Sequence, residues 1–381
     1  MAGLRLGTTM VLRPEPFPFR AMNTDDIKRA LMSKVKKKPQ KAEYLSTGCK
    51  VLDLAVSDKT NGGFPLGSYV YLVGDSMSGK TWLSLSCMAE ASIDPRFDQH
   101  RFIYDNVERG VRMNLERYFG SRMAERIEPP AWDGDEPIYS QFVEEFYFNI
   151  DDALDDGRPF IYVLDSMDGL DTFDDEDKFD EWKKAHREGK DATGSYGMSK
   201  AKANSMGIRR LMGKLEKSNS LLIIISQTRD NVKPGVFQPK TRAGGRSLRF
   251  YATLEMWSAV KGKIKRTVKG KDRQLGNVVK IDVKKNRNTG REHTVEIPIY
   301  HSFGIDDVGA CTEYLLAEGV WKKKSSKIEA TGIGPTLEMP VERLIRTIEE
   351  NDLVEDLHDL VGQTWLEIEE ATRIKRKSRY E

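Results

Sequence analysis

Short apolar runs separated by stretches of helical spacing dominate the middle of the chain. Tyr69–Val73, Phe102–Tyr104, Phe160–Leu164 and Leu221–Ile225 are rich in β-branched and aromatic residues, which is typical of strands buried on both faces of a parallel sheet. Strands that alternate with helices predict right-handed crossover connections and a mainly parallel sheet. The pattern therefore predicts an α/β fold. The helices predicted between these runs are Lys80–Ser92, Val111–Glu125, Gln141–Asp152 and Asn204–Lys217.

The pattern changes on both sides of this alternating region. Residues 1–45 look like an extension, with a short helix over Asn23–Lys37 and then a lysine-rich linker broken by proline. On the other side, Thr253–Ala259, Val278–Val283 and Thr294–Tyr300 predict consecutive strands that extend the sheet with antiparallel character.

The end of the chain has helical spacing. From about Gly309 onward the best helix candidates are Val341–Glu349 and Val354–Thr372. We therefore predict three parts: an N-terminal extension over 1–45, a core over 46–308, and a small helical C-terminal subdomain with a basic tail over 309–381.

Composition narrows the class of protein. The 381 residues are 39% hydrophobic and 31% charged, with a net charge of +2, as expected for a soluble globular protein. The apolar runs fall short of the ~20 residues that a membrane helix needs, and Met1–Arg20 lacks the features of a secretory signal. We expect a cytoplasmic protein with no membrane partner. The three cysteines lie far apart, which argues against a disulfide framework or a zinc site.

A phosphate-binding loop (P-loop) follows the first apolar run. Its pattern, G-x-x-x-x-G-K-[ST], lies between a predicted strand and a predicted helix, the context that this motif requires. Glycines let backbone N–H groups point at phosphate oxygens, and the helix N-terminus favours the same anion. Lys80 would reach the β- and γ-phosphates, and the Thr81 hydroxyl would bind Mg²⁺. The predicted nucleotide-binding residues are Gly74, Asp75, Ser76, Met77, Ser78, Gly79, Lys80 and Thr81.

Acidic residues after two strands complete the predicted site. Asp165 ends the run Phe160–Leu164 and is expected to hold Mg²⁺ through water, together with Thr81. Asp105 and Glu108 follow the second strand, at the edge of the sheet where such sites assemble. We predict that Glu108 is the general base for the attacking water. The alternative is an acidic residue that simply favours the start of a helix.

Several separated motifs resemble the RecA-like recombinase family. In chain order they are Ser46-Thr47-Gly48, Leu52-Asp53, Gly62 to Gly67, the P-loop, Lys217 to Arg229, Gly244 to Ala252 and Lys285-Asn286-Arg287. The resemblance runs from about Ser46 to Trp321. It implies a RecA-like P-loop ATPase core, an N-terminal polymerisation segment and the cofactors ATP and Mg²⁺.

The resemblance also implies roles for individual residues. Gln227 would sense the γ-phosphate and pass the signal into the loop Thr228 to Arg249, which would hold single-stranded DNA. Lys285 and Arg287 would reach the ATP of a neighbouring subunit and act in catalysis. The abundance of cations in the loop independently suits a mobile phosphate-binding segment. The predicted DNA-binding residues are Arg229, Lys233, Lys240, Arg242, Gly244, Gly245, Arg246 and Arg249.

The implied function is assembly of a filament of this chain on single-stranded DNA. Pairing with homologous duplex DNA and strand exchange would follow, with single-strand-binding or loader proteins as further partners. Two alternatives remain open. One is a hexameric, helicase-type motor on the same core, and the other is a recombination mediator that binds ATP with little turnover.

Three features depart from the family pattern. Glu108 follows Asp105 by one residue more than the family's glutamate follows its aspartate, which keeps the mediator alternative open. A long acidic stretch over 168–181 occupies the place of the first DNA-binding loop, and we expect it to face solvent or a partner. The tail Arg373 to Arg379 is basic where bacterial members end in acidic residues. Such departures suit a bacteriophage member, which would work in the host cytoplasm.

Overall fold

A computed structural model describes residues 44–188, 198–230, 240–242, 245–377 and 379. All but the last two residues of the predicted N-terminal extension lie outside this set, as does the helix predicted over Asn23–Lys37. Among the described helices, none combines the length and the apolar character needed to span a lipid bilayer.

A nine-stranded mixed sheet forms the centre of the fold. Its spatial order is β13-β12-β11-β10-β3-β8-β7-β4, with β9 paired to β8. The strands from β10 to β4 are parallel to one another, and β10 to β13 are antiparallel neighbours. The sheet strands are β3 Ser68–Gly74, β4 Arg101–Asp105, β7 Phe160–Leu164, β8 Leu221–Asp230, β9 Lys240–Arg242, β10 Leu254–Val268, β11 Lys271–Asn286, β12 Thr294–Tyr300 and β13 Gly304–Ile305.

This sheet confirms the predicted α/β class and the antiparallel extension after the parallel strands. Smaller strands form separate sheets: β1 Tyr44–Leu45 with β2 Phe64–Pro65, β5 Ala131–Asp133 with β6 Glu136–Ile138, and β14 Lys322–Lys324 with β15 Lys327–Ala330 and β16 Leu337–Met339. The helices are α1 Lys50–Ser57, α2 Lys80–Ile93, α3 Leu115–Phe119, α4 Ser121–Arg126, α5 Val143–Asp155, α6 Phe173–Arg187, α7 Met198–Ser218, α8 Arg246–Tyr251, α9 Asp307–Ala317, α10 Val341–Glu350 and α11 Val354–Ala371.

Alternating residues of the central strands belong to two separate hydrophobic clusters, one on each face of the sheet. In β3, Val70 and Leu72 join one cluster, and Tyr69, Tyr71 and Val73 join the other, because successive side chains of a strand point to opposite faces. Helix α2 covers the first face, and helices α5 and α7 cover the second. The parallel strands are therefore buried on both sides, which explains why they read as continuous apolar runs.

The register of these strands fixes where the functional side chains meet. Gly74 of β3 lies opposite Gln227 of β8. Asp105 of β4 lies opposite Leu164 of β7, directly before Asp165. Because parallel strands end at one edge of a sheet, the loops after β3, β4, β7 and β8 share that edge.

The structure differs from the predicted helix over Val111–Glu125. Two short helices, α3 and α4, replace it, and they are separated by Gly120 with a φ of 85°. This backbone conformation is incompatible with a continuous right-handed helix. Asn114 is the N-cap of helix α3, and its side chain accepts a hydrogen bond from the Arg117 N–H at 2.9 Å.

The acidic stretch after Asp168 also forms a helix that was not predicted. Helix α6 carries its acids in the first half, and it is mostly exposed, with Asp175 as its buried residue. The Thr172 hydroxyl caps its N-terminus by accepting from the Asp175 N–H. Acidic side chains near a helix N-terminus are favoured by the helix dipole, and α6 has three of them in its first turn.

The C-terminal region contains helices α9, α10 and α11, together with the small sheet β14-β15-β16, which was not predicted. Its strands have three or four residues, too few to show a period in the sequence. Trp321, Leu344 and Val361 of this region belong to the same buried cluster as Val70 and Leu83 of the core. The boundary at 308/309 stays a prediction.

An ion pair joins this region to the first helix of the core. The His358 Nε2 of α11 lies 2.6 Å from the Asp307 Oδ2, and the other oxygen of Asp307 accepts from the Lys50 N–H at 2.7 Å. Burial alone would lower the pKa of His358, but the hydrogen bond and charge of Asp307 outweigh it and raise the pKa above 6.5. The ion pair therefore stabilises the fold while His358 is protonated.

We expect the His358→Gln variant to lose stability in a pH-dependent way. Because the folded-state pKa is raised, the stabilisation is fully present below pH 6.5 and is lost as the pH rises through the folded-state pKa. Thermal melts should show the variant less stable by roughly 1–2 kcal/mol at about pH 6, with the difference shrinking toward about pH 9. His186→Gln on the exposed face of α6 is the control. A pH-independent difference would contradict the assigned charge state.

Candidate nucleotide site and DNA loop

The P-loop connects β3 to α2, and both of its glycines have a steric reason. A Cβ on Gly74 would lie 2.2 Å from the Ser258 Oγ. Gly79 has a φ of 82°, and a Cβ there would lie 2.5 Å from the Ile299 Cδ1. Only glycine fits both positions without a shift of the neighbouring β10 and β12.

Lys80 lies folded back into the loop. Its Nζ donates to the Gly74 carbonyl at 2.9 Å and to the Asp75 carbonyl at 2.6 Å. Burial lowers the pKa of Lys80, and the charges of Asp165 and Glu108 oppose that shift. The ammonium group is thus held by neutral carbonyls at the position where a phosphate would offer stronger, charged acceptors.

Thr81 and Asp165 come together as predicted for a cation site. The Thr81 hydroxyl donates to the Asp165 Oδ2 at 2.7 Å, and the Tyr104 hydroxyl donates to the same oxygen at 2.7 Å. Burial raises the pKa of Asp165, and these two hydrogen bonds oppose the shift. A carboxylate beside a hydroxyl is an all-oxygen donor set, which fits Mg²⁺ bound largely through water.

The two candidate bases, Asp105 and Glu108, line different cavities. Asp105 is buried, where it accepts from the Ser140 N–H at 3.1 Å, from the Ser140 hydroxyl at 2.5 Å and from the Tyr162 hydroxyl at 2.9 Å. Burial raises the pKa of Asp105. Its side chain lines a cavity of about 670 Å³ beside β4 and α5, whereas Glu108 lines a different cavity with the P-loop.

A turn brings Glu108 to that position. The Arg109 N–H donates to the Asn106 carbonyl at 2.9 Å, and Arg109 has a φ of 50°. The Glu108 N–H donates to the Asp165 carbonyl at 3.2 Å. The extra residue after Asp105 is therefore absorbed by a turn, and Glu108 lies beside the strand that carries Asp165.

The cavity at the P-loop has a volume of about 250 Å³. Besides Lys80, Thr81, Glu108 and Asp165, its walls include residues that sequence reasoning missed: Trp82, Gly110, Met113, Asn277, Val279, Ile299 and His301. Asn277 lies in the antiparallel strand β11, and His301 directly follows the antiparallel strand β12. No local motif marks them, because only the pairing of β11 with β12 brings them to the site.

Gln227 lies at the end of the buried part of β8 and contacts two acidic residues, Glu108 and Asp168. Its Nε2 donates to the Glu108 Oε1 at 2.9 Å, and its N–H donates to the Asp168 Oδ2 at 2.7 Å. The Ser226 hydroxyl donates to the same Asp168 oxygen at 2.7 Å, and the Ser166 hydroxyl donates to Glu108. Asp168 is thus a further residue of the site that the sequence did not mark, because it belongs to the acidic stretch over 168–181.

The predicted DNA-binding residues fall into three groups. The backbones of Arg229, Lys240 and Arg242 form a short antiparallel ladder between β8 and β9 at the base of the loop. Lys233 and Gly244 lie outside the described residues. Gly245 precedes α8, Arg246 is exposed, and the Arg249 Nε pairs with the buried Glu255 Oε2 at 2.9 Å.

Lys285 and Arg287 lie at the C-terminal end of α8. The Lys285 Nζ donates to the Arg249 and Phe250 carbonyls at 2.6 and 2.8 Å, and the Arg287 guanidinium donates to the Phe250 carbonyl. Burial, together with the charge of Arg287, lowers the pKa of Lys285 to about 8. Cations at a helix C-terminus satisfy its free carbonyls, so both residues hold the helix at the C-terminal end of the predicted DNA-binding loop.

Comparison with known proteins relates the chain to one family. The family described as RecA N-terminal domain matches residues 183–306. The chain is 25% identical over 291 residues to protein RecA of Lactococcus lactis subsp. cremoris, covering 75% of this chain and 67% of that protein. It is 29% identical over 275 residues to protein RecA of Colwellia psychrerythraea, covering 71% and 69% of the two chains. It is 27% identical over 292 residues to protein RecA of Methylobacterium radiotolerans, covering 76% and 71%.

We expect Glu108→Gln to slow nucleotide hydrolysis at least ~100-fold while leaving nucleotide binding intact, as for loss of a general base. Asp105→Asn should instead lower thermal stability, because Asp105 is a buried acceptor of three hydrogen bonds. Hydrolysis rates, nucleotide titration and melts on both variants separate the two roles. The assignment is wrong if Asp105→Asn abolishes hydrolysis in a stable protein and Glu108→Gln does not.

Proposed function

We propose that this chain, which is similar to RecA proteins over 71–75% of its length and matches the RecA N-terminal domain family over residues 183–306, is an ATP-dependent recombinase that assembles on single-stranded DNA. One observation carries the proposal. Lys80, Thr81, Glu108 and Asp165 line a single cavity, and β8 leads from Gln227 at that cavity into the basic loop. This arrangement connects a nucleotide site directly to a segment suited to bind phosphates of a nucleic acid.

The proposed cofactors are ATP and Mg²⁺. The N–H groups of the loop from Gly74 to Thr81 would hold the phosphates, and Lys80 would exchange its two carbonyl acceptors for phosphate oxygens. Thr81 and Asp165 would hold Mg²⁺, which neutralises charge on the phosphates when bound. Glu108 would orient and deprotonate the attacking water. Gln227, which donates to Glu108, would respond to the nucleotide through that carboxylate.

The proposed DNA site is the loop from Thr228 to Arg249. Cations on a loop whose base is a short ladder suit contacts with the phosphate backbone. Sequence recognition would come from base pairing between the bound strand and a homologous duplex, followed by strand exchange. Single-strand-binding or loader proteins are proposed as further partners, and the cytoplasm as the location.

We propose a division of the chain into three parts that together would allow assembly. We propose residues 1–45 as a polymerisation segment, residues 46–308 as the ATPase and DNA-binding core, and residues 309–381 as a small C-terminal subdomain. Lys285 and Arg287 would act on the ATP of the adjacent protomer. Their contacts with the end of α8 support this role, because they would link catalysis in one protomer to the DNA loop of its neighbour.

A recombination mediator with little turnover is the second candidate. It is favoured by the hydrogen bonds from Ser166 and Gln227, because both occupy the Glu108 Oε1, an oxygen that a general base would offer to the attacking water. DNA-stimulated ATP hydrolysis separates the two functions. Electron microscopy with ATP and single-stranded DNA would reveal filaments for the recombinase and closed rings for a helicase-type motor.

We expect Lys80→Ala to abolish ATP binding and DNA-stimulated hydrolysis, because it removes the charged partner of the phosphates from inside the loop. Hydrolysis with and without single-stranded DNA, and nucleotide titration, are the measurements. Lys322→Ala, on the exposed strand β14, is the control and should behave as the wild type. Wild-type turnover in the Lys80 variant would refute the nucleotide site.

We expect Arg287→Ala to depress hydrolysis at least ~100-fold, as for loss of a cation acting in trans, without weakening nucleotide binding to an isolated protomer. Mixing it with the Lys80→Ala protein tests the trans role. At a mixed junction the first protein supplies a working nucleotide site and the second supplies the cation, so activity should return. Absence of any return at all mixing ratios, with co-assembly demonstrated, would assign Arg287 a role within its own protomer.

A further inference from the structure

An acidic side chain lies inside the P-loop. Asp75 is the second residue of the loop and is half-buried. The loop is proposed to hold the phosphates of ATP, so a negative charge on the loop opposes the binding of that anion. Burial lowers the pKa of Lys80, and the charge of Asp75 is close enough to be among those that oppose this shift. A residue that opposes the ligand needs a separate structural reason for its position.

The partner of Asp75 is the first residue of the proposed DNA loop. The Thr228 hydroxyl donates to the Asp75 Oδ1. The pairing of β3 with β8 brings the two residues close together, because Gly74 lies opposite Gln227 and each of the two is the next residue on its chain segment. Thr228 also lies opposite Arg242 in the ladder that closes the base of the loop.

Asp75 is also the residue on which nucleotide binding would act. Its carbonyl accepts from the Lys80 Nζ at 2.6 Å and from the Ser78 hydroxyl at 2.7 Å. When a phosphate takes over Lys80, that carbonyl loses its charged donor. At the same time the phosphate charge repels the carboxylate. Both changes fall on one residue, whose side chain is held by Thr228.

We infer that Asp75 and Thr228 form a positioning pair that couples nucleotide occupancy to the loop Thr228 to Arg249. The inference rests on the proposed function, since it assumes that ATP binds at the P-loop and DNA binds at this loop. The pair is distinct from the contacts of Gln227, which run to Glu108 and Asp168. Coupling between binding sites is reciprocal, so DNA bound at the loop acts back on Asp75 and on Lys80.

A hydrogen bond between Thr228 and Asp75 that only stabilised the fold would give a different result. Its loss would weaken DNA binding by the same factor with and without nucleotide, and would lower the melting temperature. Loss of a coupling pair changes the ratio of the two DNA affinities. That ratio, the dissociation constant for DNA without nucleotide divided by the constant with nucleotide, is therefore the quantity to measure.

The experiment uses the full chain and a fluorescently labelled single-stranded oligonucleotide. Anisotropy titrations with and without Mg²⁺ and a non-hydrolysable ATP analogue give the ratio for each protein. Thr228→Val removes the hydroxyl at constant shape, Thr228→Ser keeps it, and Asp75→Asn removes the charge but keeps an acceptor. Thr294→Val is the matched control, because its hydroxyl donates to Asp282 at 2.6 Å on the exposed part of the sheet.

We expect Thr228→Val to reduce the ratio at least ~5-fold, the lower end of common allosteric couplings, with nucleotide affinity in the absence of DNA unchanged within about 2-fold. Thr228→Ser should restore the ratio, and Thr294→Val should leave it unchanged. Asp75→Asn should tighten nucleotide binding by about 3-fold, because it removes one negative charge that opposes the phosphates. It should also reduce the ratio of the two DNA dissociation constants. The variant that combines Asp75→Asn with Thr228→Val should reduce the ratio no more than Thr228→Val alone.

Two results would overturn the inference while the proposed function stands. One is a wild-type ratio in the Thr228→Val protein, and the other is an equal loss of DNA affinity in both nucleotide states. A wild-type protein that binds neither ATP nor DNA would overturn the proposed function itself. Melts of every variant check folding, and Asp75→Asn tests the pair independently should Thr228→Val prove unstable.

Discussion

The hydrogen-bonded register of the parallel strands is the constraint on which the rest of the site depends. Gly74 opposite Gln227 and Asp105 opposite Leu164 fix the edge where the loops emerge. A slip of one residue in a strand would turn every side chain to the opposite face. The buried clusters on both sides of β3 forbid such a slip, so residues distant in sequence stay within hydrogen-bond reach.

At that edge of the sheet, carboxylates outnumber the ammonium group of Lys80. Burial lowers the pKa of Lys80, and it outweighs the opposing effect of four nearby carboxylates, those of Asp165, Glu108, Asp75 and Asp168. One ammonium group among several carboxylates leaves a negative field around the P-loop. A polyphosphate would enter against that field unless it brought a divalent cation, which is the physical reason to pair the oxygen donors of Thr81 and Asp165 with Mg²⁺.

Much of the fold could be predicted from the sequence, because buried parallel strands and their loops leave local signals. The run Phe160–Leu164 is the strand that the structure contains, and the P-loop motif carries its own geometry. Asn277, His301 and Asp168 could not be predicted, since strand pairing alone brings them to the site. The split at Gly120 and the short strands β14 to β16 were missed because neither leaves a period long enough to read.

The buried cluster that Trp321, Leu344 and Val361 share with Val70 and Leu83 has a consequence for anyone who shortens this chain. Helix α11 is fastened to the end of α1, where the Trp365 Nε1 donates to the Asp58 Oδ1 at 3.2 Å. Removing the residues after 308 would expose the apolar side of α1 to water and promote aggregation. A trimmed version for crystallisation should therefore keep everything through Thr372, and a fluorescent fusion belongs beyond that point.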